Sequence, residues 1–312
     1  MTDIRSAVLA SRDGMTSTVQ AYLAEKRDPN FTDHTGIRLL HIAAQNRHVE
    51  IVRVLVVGGA DVNVLNRDGQ TPLFQAVTEH YCGRYPDHRT RSVEIVRLLL
   101  AARADPHLGE PPLAEAAKLG SEKAVKLLLE AGASVNHPDP RYQSTALIAA
   151  INGGQEALAS MLIAVGADVN QGDQRGQTPL SRAIEGPGTV SGAAERKRIC
   201  LAIAKSLIAK GADPNRATTD GRSPLMAAVN ENWPEMIALL LRAGADARHQ
   251  DLQGRGLARR ALDGALRLNL PDDAAVDLVR TMVIAGAADK QPAADWARER
   301  GRAALADAIA RL

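Results

Sequence analysis

Gly59-Ala60-Asp61-Val62-Asn63, followed a few residues later by Asp68-Gly69-Gln70-Thr71-Pro72-Leu73, decides the fold, because both phrases return along the chain. The first returns as Ala104-Asp105-Pro106, Gly132-Ala133-Ser134-Val135-Asn136, Gly166-Ala167-Asp168-Val169-Asn170, Gly211-Ala212-Asp213-Pro214-Asn215 and Gly244-Ala245-Asp246. Weaker copies are Arg27-Asp28-Pro29-Asn30 and Gly286-Ala287-Ala288. Measured on the alanine, with Arg27 standing in first, the steps are 33, 44, 29, 34, 45, 33 and 42 residues. The second phrase returns as Gly176-Gln177-Thr178-Pro179-Leu180 and Gly221-Arg222-Ser223-Pro224-Leu225, more loosely as Thr145-Ala146-Leu147 and Leu39-Leu40-His41. Self-similarity at such a period is the mark of a repeat array.

Each piece has a physical task. Asp or Asn before Gly suits a tight turn with positive φ. Thr or Ser caps a helix, and Pro in the next position gives up no intrahelical hydrogen bond. Leu73, Leu180 and Leu225 plug the gap between neighbouring units, and the small residues after them let helices approach closely. Runs such as Glu50-Ile51-Val52-Arg53-Val54-Leu55 bury one face of a second helix. Gly59, Gly132, Gly166, Gly211 and Gly244 stand where a helix end favours a left-handed residue. The unit reads as turn, helix, loop, helix.

This pattern resembles the ankyrin repeat, and the resemblance covers nearly the whole chain. It implies an all-α repeat solenoid, an ankyrin-repeat stack of helix-turn-helix units with short β-hairpin fingers along one edge and first helices lining a concave face. It also implies recognition of proteins through those two surfaces. The chain is expected to be one domain, 1–312. Residues 1–32 form an N-terminal repeat or cap; repeats follow at 33–65, 66–109, 110–138, 139–172, 173–217, 218–250 and 251–291; residues 292–312 form a half-repeat cap with one polar side.

Composition narrows the function. Hydrophobic residues make up 45% and aromatic residues 3%, so the core is built from Ala, Leu, Ile and Val. With 38 basic and 36 acidic residues the net charge is +2, which argues against a nucleic-acid binder relying on a basic surface. Cys82 and Cys200, the two cysteines, build no disulfide framework and fit a reducing compartment. The first residues read as no signal peptide. No apolar run reaches the roughly 18 residues of a membrane span, so the expected location is cytoplasmic. Arg outnumbering Lys and abundant Ala suggest a bacterial source.

Three repeats carry surplus residues between their helices: Glu79 to Arg91, Gly186 to Gly192, and the surroundings of Leu268 to Asp273. These are expected to emerge opposite the fingers, either as tolerated surface drift or as a second contact edge anchored by Tyr81, Arg84, Tyr85 and Arg89. The boundary from Ala104 to Leu113 is 9 residues, against 13 from Ala60 to Leu73, so the finger at 106–112 is expected to be cut short.

The sequence offers no catalytic constellation. His80, Cys82 and His88 match no common zinc spacing, and Cys200 reads as core packing. No phosphate loop or nucleophile elbow occurs. Carboxylates at Glu115, Glu185, Glu231 and Asp263 are spread at repeat spacing rather than converging in a pocket. Arg84, Arg89 and Arg91, and the run Arg196-Lys197-Arg198, read as solvated. The expectation is therefore a non-catalytic protein–protein interaction module without cofactor or metal, with an unidentified protein partner and no membrane contact. The bacterial immunity or inhibitor role leads; an adaptor or secreted effector acting on host proteins, and an enzyme or metal-binding protein using residues 79–91, are the alternatives. Concave contacts are expected from Gln45, Asn46, Gln75, Thr78, Glu79, Glu115, Lys118, Asn152, Arg182, Glu185, Asn230, Glu231 and Arg260. Finger contacts are expected from Leu65, Arg67, Tyr142, Gln143, Gln174, Arg175, Thr218, Thr219, His249 and Gln250, with Tyr142 and Leu65 as apolar anchors.

Overall fold

A computed structural model describes residues 4–32, 38–78, 87–186 and 192–312. The chain divides into two compact units, Met1–Ala167 and Asp168–Leu312. The first holds helix pairs α1 (Ile4–Asp13) and α2 (Thr16–Ala24), α3 (Leu39–Gln45) and α4 (Val49–Val57), α5 (Pro72–Val77) and α6 (His88–Ala101), α7 (Pro112–Lys118) and α8 (Glu122–Glu130), and α9 (Ala146–Asn152) and α10 (Glu156–Ala164). The second holds α11 (Pro179–Glu185) and α12 (Ala193–Ala209), α13 (Pro224–Asn230) and α14 (Pro234–Arg242), α15 (Leu257–Arg267) and α16 (Asp272–Ile284), and α17 (Lys290–Glu299) and α18 (Ala303–Ala310). Within each unit the first helices pack side by side, α1 through α9 and α11 through α17. Second helices do the same from α2 to α8, from α12 to α14, and from α16 to α18.

The recurring phrases perform the tasks read from them. Thr71, Thr145, Thr178 and Ser223 each accept the backbone N–H three residues on, at 3.1, 3.4, 3.2 and 3.3 Å, with Pro72, Pro179 and Pro224 as the first helical residues. Leu73, Leu147, Leu180 and Leu225 are fully buried. Gly59, Gly132, Gly166, Gly211 and Gly244 have φ from +85° to +95°, so each second helix ends in a left-handed turn that a side chain would strain. The asparagine of the first phrase has a longer reach. Asn170 accepts from Asp213 N at 2.8 Å and donates to Gly211 O at 3.0 Å. Asn215 treats Asp246 N and Gly244 O the same way, at 2.7 and 3.0 Å. One side chain thus satisfies two backbone groups of the following repeat and fixes its register.

Three expectations change. The fingers are tight turns, closed by single backbone bonds such as Asn66 N to Gln70 O at 3.0 Å and Asp173 N to Gln177 O at 3.1 Å, and the one β-bridge among the described residues joins Thr32 to Arg38. Residues 290–310 make a complete helix pair rather than a half-repeat. The surplus residues lengthen helices: α6, α12 and α16 have 14, 17 and 13 residues, against 9 in α4, α8, α10 and α14. In the last case α15 grows as well, to 11. Residues 79–86 and 187–191, which include Glu79, His80, Tyr81, Cys82, Arg84 and Tyr85, lie outside the described residues.

Repeat α15/α16 solves its capping problem differently. Gly256 stands where α5, α9, α11 and α13 have Thr or Ser, and the buried Asp289 from the next repeat supplies the acceptors: its two carboxylate oxygens take Ala258 N and Arg259 N, both at 2.9 Å. A Cβ on Gly256 would meet the Asp289 carboxyl carbon at 2.4 Å, which is why glycine is needed there.

Candidate functional site

The finger turns are built on one polar side chain, three residues before the turn glycine at Asn66, Asp173, Thr218 and Asp251 and four before the left-handed Gln143 at Asp139. Asn66 Oδ1 accepts the N–H groups of Asp68 and Gln70 at 3.0 and 2.9 Å. Asp173 Oδ1 accepts from Arg175 and Gln177 at 2.8 and 3.0 Å, and Asp251 Oδ1 from Gln253 and Arg255, both at 2.9 Å. Asp139 takes three, from Arg141 at 3.0 Å, Tyr142 at 2.6 Å and Ser144 at 2.7 Å. The finger beginning at Thr218 uses its hydroxyl instead, toward Asp220 and Arg222 O. Side-chain acceptors of this kind fold the backbone on themselves, so each tip is held from its root. Neighbouring fingers are also joined: Glu110 N donates to Gly69 O at 3.0 Å, Thr219 N to Arg175 O at 2.9 Å, and the His249 ring lies 2.8 Å from Gly221 O. The shortened finger at 106–112 therefore leans on the finger before it.

Against this frame the expected contact residues separate. Leu65, Arg67, Tyr142, Gln143, Gln174, Arg175, Thr219 and Gln250 are exposed, Tyr142 at 56% and Leu65 at 44%. Thr218 and His249 are half-buried and bonded within and between fingers. On the first helices, Lys118 is exposed beside Glu115 at 3.5 Å, and Gln45, Asn152, Asn230 and Glu231 are half-buried. Arg182 and Arg260 reach nine residues back to the finger roots, Arg182 to Asp173 at 3.0 Å and Arg260 to the buried Asp251. Arg182 also meets the exposed Glu185 at 3.4 Å, and Gln177 donates to that carboxylate at 2.7 Å. These arginines brace fingers against helices, a use the sequence reading did not foresee.

Asn46, Gln75 and Thr78 need correction as surface residues: all three are buried. Asn46 donates to Ile42 O at 2.8 Å and Gln75 to Gln70 Oε1 at 2.6 Å, while the Thr78 hydroxyl donates to Gln75 O at 3.1 Å. The reason is Arg47, a buried guanidinium donating to Ala44 O at 2.7 Å, Gln75 O at 2.9 Å and Thr78 O. It satisfies the open carbonyls at the ends of α3 and α5 together.

Other residues at the first helices of the second unit carry no local sequence pattern that signals contact. The guanidinium groups of Arg259 and Arg300 both lie over the Trp296 ring, 3.9 and 4.4 Å from its centroid. Arg267 donates to Asn230 O at 2.6 Å and to Glu231 at 3.0 Å. The signal available for Trp296 was residue type alone, since Trp and Arg concentrate at contact surfaces.

Electrostatics follow the same division. Burial raises the Asp251 carboxyl, but hydrogen bonds from Arg255, Gln253 and Arg260 outweigh it and hold the group below its ordinary range. Burial pushes the Cys200 thiol up to about 11, the opposite of what a nucleophile needs. Among the described residues no group of three His, Cys, Asp or Glu side chains is placed to hold a metal ion, and no helix is long and apolar enough to cross a membrane.

Family profiles described as ankyrin repeats match residues 7–87, 113–163, 68–111 and 220–252. Similar proteins include the potassium channel AKT2/3 of Arabidopsis thaliana, 31% identical over 40% of this chain and 15% of the channel. The putative ankyrin repeat protein FPV014 of Fowlpox virus is 32% identical over 38% of this chain and 26% of that protein. The ankyrin repeat-containing protein P1E11.10 of Schizosaccharomyces pombe is 36% identical over 21% of this chain and 32% of its own length. In each case the match spans less than a third of the relative.

Proposed function

Because the chain belongs to the ankyrin-repeat family, whose repeats serve as protein–protein interaction modules, we propose that it holds a protein partner against its finger tips and the exposed parts of its first helices. The observation that carries this reading is the contrast within each finger. A polar side chain at the root, Asn66, Asp139, Asp173 or Thr218, fixes the turn, while Leu65, Arg67, Tyr142, Gln143, Arg175 and Thr219 stand exposed on it. Side chains held in advance lose little freedom on binding, and Tyr142, a large amphipathic ring, is the natural anchor. On the first helices, Gln45, Glu115, Lys118, Asn152, Glu185, Asn230 and Glu231 supply the polar surround.

A rigid, preformed surface suits a protein that blocks its target, and we assign the role of inhibitor or immunity protein, acting in the bacterial cytoplasm, ahead of adaptor or effector. The Ala- and Arg-rich composition supports the bacterial source. Affinity capture from a lysate, with the eluate identified by mass spectrometry, tests this when wild type is run beside Leu65→Ala/Tyr142→Ala and Glu115→Lys/Glu231→Lys. One stoichiometric partner, lost in the finger variant and inhibited by the wild-type chain, is expected. Equal capture by all three proteins would refute the surface, and a captured enzyme that keeps its activity would refute the inhibitor role.

A further inference from the structure

The lengthened helix α6 leaves a groove on the side of the first unit away from the fingers. Helices α6 and α8 both end two residues before a left-handed residue, Arg103 and Gly132, so they are aligned at that end. With 14 residues against 9, α6 overhangs the start of α8 by about 7.5 Å at the helical rise. Beneath the overhang lies a groove of about 650 Å³ between the α6 stripe that contains Arg89, Val93 and Arg97 and the start of α8 from Gly120 to Lys126. That volume is in the range of a ligand site.

Its charge is lopsided. Arg89, Arg97, Lys123 and Lys126 face it, against Glu94 and Glu122. Both carboxylates are already engaged: Glu122 with Lys126 at 2.6 Å, Glu94 with Arg97 at 3.6 Å and Arg53 at 3.8 Å. Arg89 and Lys123, both exposed, have no ion-pair partner among the described residues. A comparable step in the second unit, where α16 with 13 residues packs on α18 with 8, forms a groove of about 300 Å³ lined by Asp272, Asp273 and Asp277 with Arg280. The overhang therefore makes a groove, and the side chains alone set its sign.

We propose that the α6–α8 groove is a second docking site, separate from the finger surface, and that it takes an acidic peptide segment of a protein. Arg89 at the overhang and Lys123 on the opposite wall pair with carboxylates spaced along that segment, and Val93 with the stems of Arg97 and Lys126 gives it an apolar floor. The groove belongs to the surplus at residues 79–91 through its helical part, so the extra residues serve contact rather than drift.

The test is fluorescence anisotropy of a fluorescein-labelled glutamate octapeptide titrated with the full chain at about 50 mM salt, where screening is modest. Arg89→Glu/Lys123→Glu is expected to weaken binding about tenfold, or about 1.4 kcal/mol, with an unchanged thermal melt. Arg67→Glu/Arg175→Glu alters net charge equally but lies on the fingers, and it is expected to leave affinity within about twofold. Equal losses in the two variants would make net charge the cause and overturn the proposal. So would the absence of peptide binding by the wild type, or tighter binding of an oligouridylate carrying the same charge. Partner capture through the fingers is a separate measurement, so either reading fails without the other.

Discussion

Replacing Asp289 by Ala removes the cap of a helix that begins thirty-two residues earlier in the chain. Two backbone donors, Ala258 N and Arg259 N, lose a carboxylate acceptor held at 2.9 Å, in a place where Asp289 is 5% exposed. A hydrogen bond to a charged group contributes about 1.5–3 kcal/mol, and an anion at a helix start adds up to about 2 kcal/mol in partly buried geometry. Water entering the vacated space offsets part of this, so the expected cost is about 2–4 kcal/mol. Asp289→Asn keeps one acceptor but turns an amide N–H toward a backbone N–H, and should recover less than half. The decisive variant is Gly256→Ser. In the wild type its Cβ meets the Asp289 carboxyl at 2.4 Å and destabilises. In the Asp289→Ala background that space is open, and with φ −88° and ψ −172° the position has the extended backbone of the other caps. There the serine should restore about 1 kcal/mol. Urea unfolding in a Trp233→Phe background, read by the fluorescence of Trp296 on α17, measures each corner of the cycle. A cost below about 1 kcal/mol for Asp289→Ala, or a Gly256→Ser change that destabilises equally in both backgrounds, would refute the reasoning.

Leu180→Ala, at a fully buried site, should cost about 2–5 kcal/mol, and Thr178→Ala beside it about 1 kcal/mol; denaturant midpoints give both. Asn170→Ala leaves Asp213 N and Gly211 O without their shared partner, and hydrogen exchange at Asp213 should rise well before that of the buried α13 amides. Asp251 is held below its ordinary value of 3.8, so its contribution is complete above that value and is lost as pH falls through the lower folded pKa. The stability gap between wild type and Asp251→Asn should accordingly be flat from pH 7 to about pH 5 and close below 3.8; a gap that widens on acidification contradicts the assignment. Cys200, with its thiol pushed up to about 11, should react with a disulfide reagent in a Cys82→Ser variant only as fast as the helix pair opens.

What the sequence made legible was whatever a residue does within a few positions of itself. A threonine caps the turn that follows it, a proline starts that turn, a glycine ends the second helix, and a leucine at fixed offset enters the core. Side chains acting across repeats were hidden, because no local pattern says where Asp289 or Arg47 will be received. The same limit explains the contact residues. Gln75 and Thr78 occupy positions of the helix that face outward in other repeats, yet the Arg47 guanidinium folds the end of α5 inward around itself. Arg182 and Arg260 stand nine residues past a finger root, a spacing that becomes meaningful only when the turn brings the helix back beside it. The surplus residues look like loops in the sequence because they interrupt the period; that period concerns the repeat and says nothing against a helix starting earlier, as α6, α12 and α16 do.

The division of labour inside a finger sets what the surface can change without cost. The root acceptor, Asn66, Asp139, Asp173 or Asp251, is spent on backbone N–H groups and its replacement loosens the turn. The side chains of the tip residues Arg67, Tyr142 and Gln174 are exposed and take no part in the hydrogen bonds that hold the turns. Substitution at a tip therefore alters what is presented and leaves how rigidly it is presented unchanged, while substitution at a root does the reverse. A partner's affinity should respond to tip changes through lost contacts and to root changes through lost preorganisation. The two are separable: Tyr142→Ala should raise the dissociation rate with stability intact, whereas Asp139→Ala should lower stability and affinity together. If Asp139→Ala weakened binding without softening the turn, the root would be a contact residue, and the finger would no longer divide in this way.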